Sequence, residues 1–166
     1  MNASSAPSTA AASAARRAWM AVLARTPRAE LEAAFAAALG DEPAPSFDWL
    51  RTPQIGLAMV RGRVGGTGNA FNLGEATVTR ATLRLRAAQG QQGATVGVAC
   101  HLGRDKRRAE LAALADAVLQ QPERHARPHA PSIEPLAARQ AQRRAARRTD
   151  AASTKVEFFT MVRGDA

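Results

Sequence analysis

Residues 61–75 read RGRVGGTGNAFNLGE and put two arginines, five glycines and a carboxylate into one short stretch. Glycine at that density lets backbone amides come close to an oxyanion, and arginine beside it offers forked donors. Phosphate binding is therefore the first chemistry to weigh. A Walker A loop requires GxxxxGK[ST]; no such string occurs, and Lys106 and Lys155, the two lysines, lie far from these glycines. A dinucleotide fingerprint requires G-x-G-x-x-G opening a helix. Here Gly66 and Gly68 are followed by Phe71 where the third glycine belongs, and strand-like sequence comes next. What survives is a hairpin turn whose amides, with Arg61, Arg63, Asn72, Arg80 and Arg84, border phosphates. The plainer reading is a glycine turn with solvated arginines.

Other candidates are sparse. Glu75 and Asp105 are the carboxylates nearest basic turns, each able to orient a hydroxyl or act as a base, or simply to pair with arginine. GRDKRRAE at 103–110 places Arg104, Lys106, Arg107 and Arg108 at the start of a helix. Cations there oppose the helix dipole unless an anion joins them, so Arg104 and Lys106 are phosphate or partner candidates. Cys100-His101 is a single pair on a strand, where neighbours face opposite ways, and Pro128 breaks the helical spacing of His125 and His129. No metal site is expected. The apolar surroundings of Cys100 predict an inert thiol, and no nucleophile signature surrounds any serine.

The elements that must position these residues follow from periodicity. Residues 1–13 are small and polar, predicting disorder. A helix is expected from about Ala14, with Trp19, Val22 and Leu23 as a narrow apolar stripe, and Trp19 is a candidate partner contact. Thr26-Pro27 reads as an N-cap and first helical residue; Leu31, Phe35 and Leu39 share one face, and Gly40 stops the helix. In residues 54–64 the period drops to two: Ile55, Leu57, Met59, Arg61 and Arg63 share a face. Strands are expected again over 76–86 and 94–102, followed by a helix capped by Asp105 and running to about Gln121. KVEFFTMV at 155–162 predicts a C-terminal strand that completes the core or pairs with a partner, with Phe158 and Phe159 as interface candidates.

Composition sets the remaining bounds. The chain has 166 residues and a formal net charge of +9. Seven arginines against Glu134 between Arg124 and Arg148 contribute +6 of it. With Pro128, Pro131 and Pro135 and few large apolar residues, 123–153 reads as a basic linker outside the core, with a polyanion-binding arm as the alternative. A core domain over 14–122 and a C-terminal strand over 154–166 complete the organisation. A single cysteine excludes an internal disulfide, no apolar run is long enough to span a bilayer, and the N-terminal residues, lacking an apolar h-region, are not expected to act as a secretory signal. A cytoplasmic protein is expected. The fold class is α+β: an antiparallel sheet, an N-terminal helical pair and one long helix against it.

Three stretches, LAMVRGRVGGTGNAFNLGEATVTRATLRL at 57–85, LGRDKRRAELAALADAVLQ at 102–120 and TKVEFFTMVRGD at 154–165, closely resemble the G-subunit family of the bacterial carbon–phosphorus lyase system. The likeness spans nearly everything except the first dozen residues and the basic segment. Ala76 and Ala81 stand where that family usually has methionine and cysteine, so no thiol role carries over to that strand. The resemblance implies one component of a core complex with H, I and J subunits. That complex displaces adenine from ATP by an alkylphosphonate, giving ribose 1-alkylphosphonate 5-triphosphate. It also implies that the main catalytic residues lie on the I subunit and the iron–sulfur chemistry on J. This chain would then bind no cofactor alone, contact no membrane or specific nucleic acid, and use its basic turn and apolar stripe as interface.

Overall fold

A computed structural model describes residues 9–86, 95–121 and 129–154. The described residues form four helices and a three-stranded antiparallel sheet, in the expected α+β class. Two helices open the chain, α1 (Thr9–Leu23) and α2 (Arg28–Leu39). The strands are β1 (Phe47–Arg63), β2 (Ala70–Leu85) and β3 (Val96–Leu102), in the order β1-β2-β3. Helix α3 (Lys106–Leu119) lies on β2 and β3, α1 and α2 pack on α3, and α4 (His129–Ser153) crosses α1 and α2.

The core is built on small residues. Ala109, Ala113 and Ala117 recur every fourth position of α3 and are fully buried. They bring the helix backbone so close to β3 that only glycine fits beneath it: a Cβ on Gly97 would lie 1.9 Å from the Ala113 carbonyl oxygen and 2.7 Å from the Ala117 Cβ. Ala81, Leu83 and Leu85 alternate inward from β2 to meet this layer. Burying a leucine such as Leu83 contributes roughly 1.5–3 kcal/mol.

The helix ends show how local chemistry was reassigned. Gly40, at φ +56°, terminates α2 as expected. Thr26 does not cap α2, however; the N-cap is Pro27, and no side chain caps there. The Thr26 hydroxyl instead donates to the Val22 carbonyl at 2.9 Å, and Gln140 of α4 donates to both Thr26 Oγ1 and Val22 O. The Val22 carbonyl at the end of α1 thus receives a donor from a helix far along the chain in addition to the local amides.

That helix corrects the largest sequence expectation. The basic stretch read as a linker outside the core contains the 25-residue α4, which continues across Pro135. Ile133 and Leu136 are buried in the main core, and Gln140 extends their i, i+3, i+7 stripe. Two large apolar residues suffice when the receiving surface is already apolar. Beyond Gln140 every described residue, from Ala141 onward, is exposed. Helix α1 also begins earlier than expected, at Thr9. The segment expected to form a C-terminal strand, with Phe158 and Phe159, lies outside the described residues.

Candidate functional interface

The hairpin β1–β2 extends well past the end of β3. The last β2–β3 pair is Val78 with Leu102, whereas β1 and β2 stay paired out to Arg63 with Ala70. Leu57–Arg63 and Ala70–Thr77 therefore form a two-stranded ribbon, roughly 23 Å long at about 3.3 Å per residue. A short helical turn, Val64–Gly66, closes it, with Gly65 and Gly66 at φ +59° and +81°. The opening glycines thus serve a tight reversal between strands.

The ribbon carries its apolar side chains into solvent. Leu57 and Leu73 are each 64% exposed, and Ile55, Met59, Val60, Val64 and Phe71 are exposed as well. A register shift between Val60 and Arg61, beside Gly74 at φ +150°, marks a β-bulge midway along it. Gly62 makes room for the opposite strand: a Cβ there would meet Leu73 Cδ1 at 2.5 Å and the Phe71 ring at 3.8 Å. Alternation alone marked Ile55, Leu57 and Met59 as a shared face; that no helix among the described residues covers it is visible only in three dimensions.

The arginine candidates do not meet in one place. Arg61 lies opposite Asn72 near the ribbon tip, and Arg63 donates to the Gly68 carbonyl at 3.0 Å, clasping the turn. Arg80 and Arg84 sit at the base, opposite Gln54 and Asp48. Seven β1 residues separate Gln54 from Arg61, or roughly 23 Å, so the two pairs share no single phosphate. Arg84 instead helps Arg86, which hydrogen-bonds Asp48 and holds that exposed carboxyl below its ordinary range. Glu75 is exposed on the ribbon opposite Met59.

Asp105 follows the structural alternative. Its side chain accepts from the Arg108 amide at 3.0 Å as the N-cap of α3, with the Arg28 guanidinium 3.9 Å away. Arg104 and Lys106 point outward as exposed cations. Arg108 folds back to donate to the Ala24 carbonyl, and burial lowers its pKa. Beside it His101 is buried with neither ring nitrogen hydrogen-bonded. Burial first, then the Arg108 charge, pushes the imidazole below its ordinary pKa, so the neutral form is favoured. Cys100 faces the other way and is exposed, which corrects the expectation of a thiol shielded by an apolar strand.

Trp19 is likewise corrected as a partner contact. It is buried within the chain, and its indole N–H donates to Asp116 Oδ1 at 2.9 Å. Asp116, fully buried in α3, is the centre of the polar core: Arg16 donates through Nε and Nη2, Val98 through its amide and Gln120 through its side chain. Sequence reading passed over it. The available signal was a carboxylate on the same helical stripe as Ala109 and Ala113, with Arg16 and Trp19 one turn apart to receive it. With so many donors converging, its oxygens are committed to joining α1, α3 and β3. Among the described residues no cluster of three or more His, Cys, Asp or Glu converges, and no helix is long and apolar enough to cross a membrane.

A small α+β body whose candidate carboxylate caps a helix, and whose apolar excess lies on a projecting ribbon, has the build of an assembly subunit. The comparisons agree. Residues 14–164 match the family described as "Phosphonate metabolism protein PhnG", and this chain belongs to that family. It is also 44% identical over 156 residues, covering 90% of both chains, to a protein of Rhizobium meliloti (strain 1021) named alpha-D-ribose 1-methylphosphonate 5-triphosphate synthase subunit PhnG.

Proposed function

We propose that this chain is the G-type subunit of a ribose 1-methylphosphonate 5-triphosphate synthase. With H, I and J partners it supports transfer of the ribose triphosphate moiety of ATP to an alkylphosphonate, releasing adenine. The observation that carries this reading is the 44% identity extending over nine-tenths of both chains. The geometry supports a structural contribution: Asp105 is engaged in capping, and the basic groups are spread along an arm. The reaction's main catalytic groups then belong to the I subunit and the iron–sulfur cluster to J, with all components in the cytoplasm. Arg61, Arg63 and Asn72, near the ribbon tip, are the residues of this chain proposed to touch a partner or the edge of the triphosphate; their exposure supports the proposal.

Co-expression with the partner subunits tests the proposal. A stable complex is expected, with ATP-dependent phosphonate coupling that disappears when this chain is omitted. Arg61→Ala with Arg63→Ala should weaken assembly or turnover. A chain that remains a monomer beside those partners overturns the subunit reading.

A second reading, polyanion binding, is favoured by the exposed arginines Arg144, Arg147 and Arg148 on α4. Deleting 124–148 would remove Ile133 and Leu136 from the core, so substitution is the cleaner test. Changing these three arginines to glutamine should leave assembly and coupling intact under the subunit reading.

A further inference from the structure

We propose that the ribbon Leu57–Arg63/Ala70–Thr77 is an insertion arm that enters an apolar groove, rimmed by carboxylates, on another subunit of the synthase. This inference rests on the subunit reading and goes beyond it by naming the docking element and the chemistry of its receptor.

Three observations carry it. The first is exposure on a scale that water does not tolerate in isolation. Leu57, Met59, Val60, Phe71 and Leu73 are 41–64% exposed within one two-stranded element. The register puts Leu57 and Met59 on one face of the ribbon and Val60 and Phe71 on the other, so both faces of the arm are apolar. Isolated two-stranded hairpins are marginally stable in water, and exposed apolar surface beyond scattered single residues marks interaction sites. The second is the backbone. Among the described residues, β2 has no β3 neighbour beyond the Val78–Leu102 pair, and β1 is the outer strand of the sheet order. Both edges of the ribbon therefore offer main-chain groups to a receiving strand or groove. The bulge at Val60/Arg61 twists the arm, which disfavours open-ended stacking and favours one shaped receptor.

The third observation selects the occupant. On the ribbon itself the exposed charges are Arg61 and Arg63 at the tip against Glu75, and Arg51 and Arg80 add two more cations at its base. Two copies docked ribbon to ribbon would bring like charges together around an apolar centre, which costs affinity. A groove lined with aliphatic side chains and edged with Asp or Glu matches both the centre and the rim. Charge complementarity thus points to a different subunit.

The test measures affinity of the purified full-length chain for the complex of the remaining subunits, together with hydrogen exchange of the ribbon amides. Leu57→Glu with Met59→Glu is expected to weaken binding at least about tenfold, as for central interface anchors. Its thermal midpoint should stay at the parental value, because neither side chain is in the core. Leu50→Glu, which places the same acid on the same strand outside the ribbon, should bind as the parent does. Arg61→Glu with Arg63→Glu should lower affinity and flatten its salt dependence. Ribbon amides should exchange fast in the free chain and slowly in the complex.

Parental affinity in the double glutamate variant overturns the proposal while leaving the subunit reading intact. No binding by the parental chain overturns both. Slow exchange in the free chain also overturns it: as a dimer, the occupant is a second copy; as a monomer, it is another segment of this chain.

Discussion

The change Asp116→Asn tests whether the polar core is held by a carboxylate's acceptor capacity or merely by its shape. Asp116 Oδ1 accepts from Arg16 Nε at 3.2 Å and Trp19 Nε1 at 2.9 Å. Oδ2 accepts from Arg16 Nη2 at 2.7 Å, Val98 N at 2.9 Å and Gln120 Nε2 at 3.3 Å. An amide retains one acceptor oxygen. Whichever way it is turned, its NH2 faces at least two donors and leaves them unmatched. Each stranded buried donor costs about 1–3 kcal/mol. Losing one partner of a buried charge pair costs about 3–5 kcal/mol. Arg16 keeps a third of its side chain in solvent, so the lower end applies, about 3–4 kcal/mol. For a chain of this size that lowers the thermal midpoint by about 6–16 °C. Thermal and urea unfolding of the purified chain measure it. A loss below about 1 kcal/mol would refute the assignment of Asp116 as the clamp joining α1, α3 and β3, because it would mean the donors are satisfied without the second oxygen.

Two further perturbations address the other parts of the core. Leu136→Ala should destabilise the whole domain by about 2–5 kcal/mol, whereas Arg144→Ala, on the solvated half of α4, should stay within about 0.5 kcal/mol; equal effects in denaturant unfolding would mean that α4 does not belong to the core. His101 is held neutral by burial and by Arg108, so its folded pKa lies below the unfolded value of about 6.5. Between those two values the unfolded chain binds more protons, so this contribution is complete above about pH 6.5 and is lost as pH falls. His101→Leu should reduce the acid loss of stability between neutral and mildly acidic pH, and parallel stability curves for the two proteins would contradict it.

The sequence by itself determined the class of the fold, the strand character of 55–63, 76–85 and 96–102, the cap at Asp105 and the stop at Gly40, but not that β1 begins at Phe47 and β2 at Ala70. These depend on local chemistry: alternation along residues 55–63, a carboxylate before KRRAE, and a glycine able to adopt positive φ. The string around RGRVGGTGNAFNLGE was also enough to place the chain in its family.

What a residue packs against is not local, and tertiary structure decided it. Trp19 reads as a partner contact from its neighbours in sequence, yet it meets Asp116 nearly a hundred residues away, while Phe71 meets solvent. Thr26 carries the composition of a cap, but a better-placed carbonyl at Val22 and an amide from Gln140 claimed its hydroxyl. The prolines and arginines of 123–153 outweighed Ile133 and Leu136 in any compositional reading. In the fold those two side chains have a surface to bury against, and burial outweighed the prolines. The ribbon shows the converse. Its alternation is that of a strand with a covered face, yet in the fold Leu57 and Met59 stand exposed beyond the last β2–β3 pair.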